Sequence, residues 1–207
     1  MPSNASRSPL PMRPQGLAGR LFGLVMERLN RPAYRRAVEV LAPRAGERIV
    51  EVGFGTGRLV EELLAAAPGL RVAGVDPTPT MLETASRRPA VRDAGARVDL
   101  RLGTDAALPW PAHSFDASAA LHSFQFWPDP ARSLAELRRV LAPHGRLLLV
   151  LRDHGRRPPA WLPNPISRGG HEPEAALALL IEAGFSDAAE LAPIGGSRLL
   201  YATRSAR

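Results

Sequence analysis

Apolar positions along the chain follow two rhythms. Short runs fit for strands stand at Ile49-Val50-Glu51-Val52, Leu70 to Val75, Ala96 to Leu102, Phe115 to Leu121 and Gly145 to Leu151. The third alternates and reads as an edge strand; the last is apolar enough to be buried on both faces. Between them, spacings of three and four predict helices over Arg58 to Ala67, Pro79 to Arg88 and Pro130 to Ala142. Thr78-Pro79 and Asp129-Pro130 are start signals, and Pro68-Gly69 and Pro143-His144-Gly145 are stops. Glu172-Pro173 opens a last helix to Ala183, and Ser186 to Leu191 and Arg198 to Thr203 read as a closing hairpin. Strand–helix alternation predicts an α/β fold with a mainly parallel sheet and right-handed crossovers. The final pair lacks an intervening helix, so its last strand should run antiparallel.

The flanks differ. Residues 1–16 hold Ser, Pro and Arg and no acid, and read as a disordered tail, with an organelle transit peptide as the other reading. Leu17 to Leu29 is amphipathic, flanked by Arg20 and Arg28, and Ala33 to Leu41 forms a second helix after Asn30-Arg31-Pro32. Residues 17–43 are expected to form helices that cap the site of a domain formed by residues 44–207. Arg152 to Gly170 fits no regular element and is expected to cover a substrate.

Composition narrows the chemistry. With 207 residues, 45% of them hydrophobic, one domain with a sizeable core is expected. Cysteine is absent, so thiol and disulfide chemistry is excluded. All 27 basic residues are arginine, which excludes a Schiff-base lysine. A net charge of +7 invites nucleic acid, but the arginines are scattered and accompany heavy use of Ala, Pro and Gly. Nucleic-acid binding is therefore not expected. Neither is a membrane span or a metal site, and a cytoplasmic protein is the expectation.

The chemical signal begins at the first strand. Gly53, Gly55 and Gly57 alternate directly before a helix, a pattern that lets a ligand approach the main chain and a helix N-terminus. The dinucleotide spacing G-x-G-x-x-G is not met. Glu51 sits inside the strand end, and Asp76 ends the next strand, 23 residues after Gly53. A carboxylate there suits the two hydroxyls of a ribose.

E-x-G-x-G-x-G followed by a strand-ending acid resembles motif I of the class I S-adenosylmethionine (SAM) methyltransferases. Phe115-Asp116 and the run SLAELRRVLAPHGRLLLV are also similar to that family, in the style of its quinone and sterol methyltransferases. The resemblance covers about residues 44–204. It implies a three-layer Rossmann-like sandwich, its seven-stranded sheet ordered 3-2-1-4-5-7-6. It implies a SAM site formed by Glu51, Gly53, Gly55, Gly57, Asp76, Pro77, Met81, Asp105, Ala106, Leu121 and His122. Asp105 and Ala106 match the adenine-contacting pair, although an Asx-turn explains Asp105 equally well. Tyr34, Phe126, Trp127 and Trp161 are candidates to meet the acceptor, a small apolar or aromatic molecule. A sulfonium methyl is already activated, so positioning can supply roughly 7–11 kcal/mol and no universal catalytic residue is required. His122 and His154 are the candidate bases, and a homodimer is possible. Three alternatives remain at this point: a NAD-type oxidoreductase, a non-catalytic SAM-fold protein, and an RNA methyltransferase resting on charge alone.

Overall fold

The computed structural model describes residues 26–152 and 172–206. Residues 26–29 are helical and run into α1, Arg31–Leu41. There follow β1 (Arg48–Val52), α2 (Arg58–Ala66), β2 (Arg71–Asp76), α3 (Pro79–Ser86), α4 (Pro89–Ala94), β3 (Val98–Leu102), β4 (Phe115–Leu121), α5 (Pro130–Val140), β5 (Leu141–Arg152), α6 (Pro173–Glu182), β6 (Phe185–Ile194) and β7 (Ser197–Arg204).

All seven strands form one sheet, ordered β3-β2-β1-β4-β5-β7-β6. The first five pair in parallel, and β7 runs antiparallel to both β5 and β6. The order and the antiparallel strand are those the sequence implied. Alternation along each strand divides the core into two layers. Ile49, Val72, Ala117, Leu148 and Val150 pack with α1 and α2, through Ala33, Ala37, Leu41, Leu59 and Leu63. Val50, Ala73, Leu147, Leu149 and Leu151 pack on the other face with α5 and α6, through Leu134, Leu137, Ala176 and Leu180.

Two boundaries differ from expectation. Pro89 begins α4 where one helix to Arg88 had been expected, because Arg88 is already extended (ψ 133°) and a proline suits a helix start. β5 begins at Leu141, four residues earlier than expected. Leu141 pairs with Phe115 before a register shift, and His144 turns the chain with φ 62°. The expected tail, most of the Leu17 to Leu29 helix and the expected substrate cover lie outside the described residues.

Candidate functional site

The glycine turn leaves β1 with three left-handed residues: Gly53 at φ 80°, Gly55 at 51° and Gly57 at 77°. Only glycine adopts such angles without steric cost. At Gly53 the reason is also contact. A Cβ there would lie 2.4 Å from that of Ser123, which donates its hydroxyl to the Val52 carbonyl at 2.5 Å. Gly55 is the opposite case: among the described residues nothing lies within 4 Å of a Cβ built there, so they leave the loop open above it.

Asp76 fastens the loop. Its two carboxylate oxygens accept the main-chain N–H groups of Gly55 and Thr78, each at 2.9 Å. Burial holds its carboxyl above the usual range, and hydrogen bonds from the two amides and the Thr78 side chain offset only part of that. Glu51, 2% exposed, stands beside it on β1. Burial holds its carboxyl well above the usual range, and the neighbouring Asp76 adds to that. Glu51 Oε2 is buried and has no hydrogen-bond partner among the described residues.

These features fit the expected cofactor. An ammonium in the opening would give Glu51 the donor it lacks, and the N-terminus of α2 suits the carboxylate of the same ligand. Asp76 keeps lone pairs free for a diol, because a carboxylate accepts about four hydrogen bonds. Gly103 donates to the Asp76 carbonyl at 3.2 Å, which brings the turn bearing Asp105 and Ala106 to the same sheet edge. There Asp105 accepts the hydroxyl of Ser133 from α5. Met81 is buried among the core residues of the α2 layer and Pro77 is exposed.

A residue that sequence reading passed over ties this end together. Arg88 donates through Nε to the Thr56 carbonyl at 2.7 Å and through Nη1 to Glu61 at 2.6 Å. Its Nη2 pairs with Glu27, from the segment before α1, and Glu27 also accepts the Thr56 hydroxyl at 2.9 Å. One guanidinium thus joins the glycine loop, α2 and the N-terminal segment. Arg88 and Glu27 are 61 positions apart, and no local pattern links them.

The other end of the site lies on the α1 face. Glu51, Leu121, Arg152 and Ser197 share that face by strand parity with Ile49, Ala119, Val150 and Leu199. His122 follows β4 with φ 52° and donates its N–H to the Val150 carbonyl at 2.7 Å. Its Nε2 lies 3.3 Å from Ser197 Oγ, and its Nδ1 is buried without a partner. Burial and the charge of Arg152 depress its pKa to about 3, so it is neutral at physiological pH. Tyr34 comes down from α1, hydrogen-bonded to Asn30, its hydroxyl pushed upward by burial and by Glu51 and Glu27. Trp127 differs from the expectation. It is 3% exposed and packs edge-on against Phe124, centroids 4.9 Å apart, so it belongs to the α5-side core rather than to an acceptor surface. Phe126 is half-buried in the turn Phe124–Phe126. His154 and Trp161 lie outside the described residues. Among the described residues no group of three acids and histidines could hold a metal, and no helix is long and apolar enough to cross a membrane.

Comparison with known proteins agrees with this geometry. Residues 50–149 match the family described as Methyltransferase domain. A demethylmenaquinone methyltransferase of Thermus thermophilus is 41% identical over 117 residues, 56% of this chain and 52% of that protein. One from Deinococcus radiodurans is 35% identical over 134 residues, 65% of this chain and 54% of that protein. The chain therefore spans about half the length of these relatives. A SAM-dependent methyltransferase structure from Aquifex aeolicus superposes with a TM-score of 0.71 at 19% identity, covering 86% of this chain and 92% of the other. At that identity the likeness speaks for the fold.

Proposed function

We propose that this chain, whose residues 50–149 match the methyltransferase domain and whose sheet has the fold of the class I methyltransferases, transfers a methyl group from SAM to a small apolar or aromatic acceptor. The observation that carries the proposal is the glycine loop itself. It is pinned by Asp76, open above Gly55, and flanked by a buried Glu51 oxygen that lacks a donor. In this reading Gly53 to Gly57 and Glu51 receive the amino-acid end of the cofactor, and Asp76 receives its sugar. Asp105 and Ala106 stand toward the base, with Pro77, Met81 and Leu121 lining the cradle. SAM supplies a methyl group on a sulfonium, an electrophile that needs no further activation. The chain's own residues then orient the acceptor and exclude water.

The acceptor enters at the α1 face, between Tyr34 and the carboxyl ends of β4 and β5. A quinone-type ring is the class favoured here, because two of the relatives are demethylmenaquinone methyltransferases. His122 is a poor general base at neutral pH, since burial and Arg152 lower its basicity to a pKa of about 3. Its role is then to shape and hydrogen-bond the site. The oxidoreductase reading gains nothing: the glycine spacing is wrong for a dinucleotide, and a chain without lysine offers no Tyr/Lys pair. A small acceptor also fits better than RNA, because Arg58, Arg88, Arg139, Arg146 and Arg198 are engaged in ion pairs within the fold. The test is transfer of label from methyl-labelled SAM to a demethylated naphthoquinol. Label in the extracted quinol supports the proposal. SAM binding without label in that quinol or in a metabolite extract contradicts it.

A further inference from the structure

Among the described residues, the half-buried arginines have partners, apart from Arg97 at the start of the β3 edge and Arg152 at the end of β5. Arg88 meets Glu27 and Glu61, Arg146 meets Glu47, Arg139 meets Glu136, and Arg204 donates to the Leu141 carbonyl. Arg152 ends β5, half-buried on the α1 face, and among the described residues its guanidinium has neither an ion pair nor a hydrogen bond. Its main-chain N–H reaches Gln125 Oε1 at 3.4 Å, but that leaves the charge unanswered. A cation withdrawn from water without a counter-charge is costly, and the cost is recovered when an anion arrives.

The surroundings point to the kind of anion. Arg152 pairs across the sheet with Ser197, whose hydroxyl lies 3.3 Å from His122 Nε2. His122 Nδ1 is buried and unpartnered on this same cluster. The titratable groups that face Arg152 are the Tyr34 hydroxyl from α1 and His122 from the end of β4. Beyond Tyr34 stand Glu51 from β1 and Glu27 from the segment before α1. No described carboxylate touches the guanidinium. One charged donor, with a hydroxyl and an imidazole beside it, suits a single ionised oxygen on an otherwise apolar ring.

We propose that Arg152, with Ser197 and His122 beside it, holds the ionised oxygen of a phenol- or enol-type methyl acceptor. This deepens the methyltransferase reading and rests on it. A phenolate or enolate is the nucleophilic form of such an acceptor. Holding it as the anion removes the need for a strong base at His122: the O–H proton leaves to solvent before transfer, the anion bonds to the methyl as the S–CH3 bond breaks and S-adenosylhomocysteine departs, and where a ring carbon is the acceptor its C–H proton then leaves to solvent as the ring is restored. Arg152 is then a binding residue that selects acceptors by their acidity.

The probe is 4-nitrophenol, whose ionised form is yellow, titrated into the full chain with S-adenosylhomocysteine bound. The expected result is binding as the phenolate, with the apparent pKa of the bound probe lowered by about one pH unit or more. Arg152→Gln removes that shift and Arg152→Lys restores part of it. Neither changes S-adenosylhomocysteine affinity by more than about threefold, and Arg152→Gln melts no lower than the wild type, because it removes an uncompensated charge. The inference is overturned if the probe binds with an unchanged pKa, does not bind, or is indifferent to Arg152→Gln. It is also overturned if Arg152→Gln weakens S-adenosylhomocysteine instead, since the guanidinium would then serve the donor's carboxylate. If the wild-type protein does not take up S-adenosylhomocysteine at all, the methyltransferase reading falls, and this inference with it.

Discussion

The two ends of the candidate site are built differently. The donor end is mostly main chain: Gly53 offers its N–H to the Val75 carbonyl, and Gly55 and Thr78 offer theirs to the Asp76 carboxylate. Its geometry is held by hydrogen bonds already made without a ligand, beside one buried Glu51 oxygen that has no partner among the described residues. The acceptor end is mostly side chains, from Tyr34, His122, Arg152 and Ser197, and its polar groups are left partly unanswered. Such an arrangement reads as a rigid socket for one fixed ligand beside a surface whose selectivity is set by individual side chains. A fold can keep the first while changing the second.

The sharpest way to break this contrast is at the glycines. Gly55→Val places a side chain in the open space above the loop and costs about 1–2 kcal/mol for a left-handed backbone. SAM affinity should fall about 100-fold or more in calorimetry, near 2.7 kcal/mol, with the fold intact by circular dichroism. Gly57→Val should do the reverse and lose the fold first, because its Cβ would sit 2.8 Å from that of Ala85. Equal effects of the two would mean that the loop is not a socket.

Next in size is Arg88→Ala. Cutting the charged hydrogen bonds among Thr56, Glu61 and Glu27 should lower stability in urea by about 1.5–3 kcal/mol. It should also expose the segment before α1 to protease and weaken SAM more than it slows turnover. Turnover lost with unchanged SAM affinity would contradict a role in holding the loop.

Glu51 provides a pH test. Its folded carboxyl is raised, so its favourable contribution is full below about pH 4.3, the unfolded value, and is lost as pH rises through the folded value. Glu51→Gln should therefore melt higher than the wild type at pH 8 when no ligand is present, and no higher at pH 4. With SAM the order should invert, the variant binding about 1.5–3 kcal/mol more weakly. Unchanged melting at pH 8 would show that the buried carboxyl is answered some other way.

At neutral pH the smallest effect is expected at His122. Its folded pKa of about 3 lies below the unfolded value, so wild-type stability should fall as pH drops from about 6.5 toward 3. His122→Asn, tolerable at φ 52°, should flatten that slope and leave SAM affinity within about threefold. An inflection in wild-type turnover near pH 6.5 that vanishes in the variant would restore His122 as a base.

Legibility in the sequence divided along the same line. The glycine spacing, Asp76 at a strand end and the helix-turn-strand run from Leu134 to Val150 are local, and local patterns name main-chain geometry well. The strand parity that sets Arg152 beside Ser197 joins elements that only the sheet brings together. The Glu27–Arg88 pair bridges 61 positions by way of a turn and two helices. Trp127 read as an acceptor aromatic because sequence gives a residue's type but not the layer it faces.

The central claim is that the turn from Gly53 to Gly57, fastened by Asp76, receives a SAM-type donor. Calorimetric titration of the full chain with SAM and with NAD, on wild type and Gly55→Val side by side, tests it most directly. The account predicts saturable binding of SAM to the wild type, none of NAD, and loss of SAM binding in the variant. Binding of NAD without SAM, or SAM affinity untouched by Gly55→Val, would contradict it.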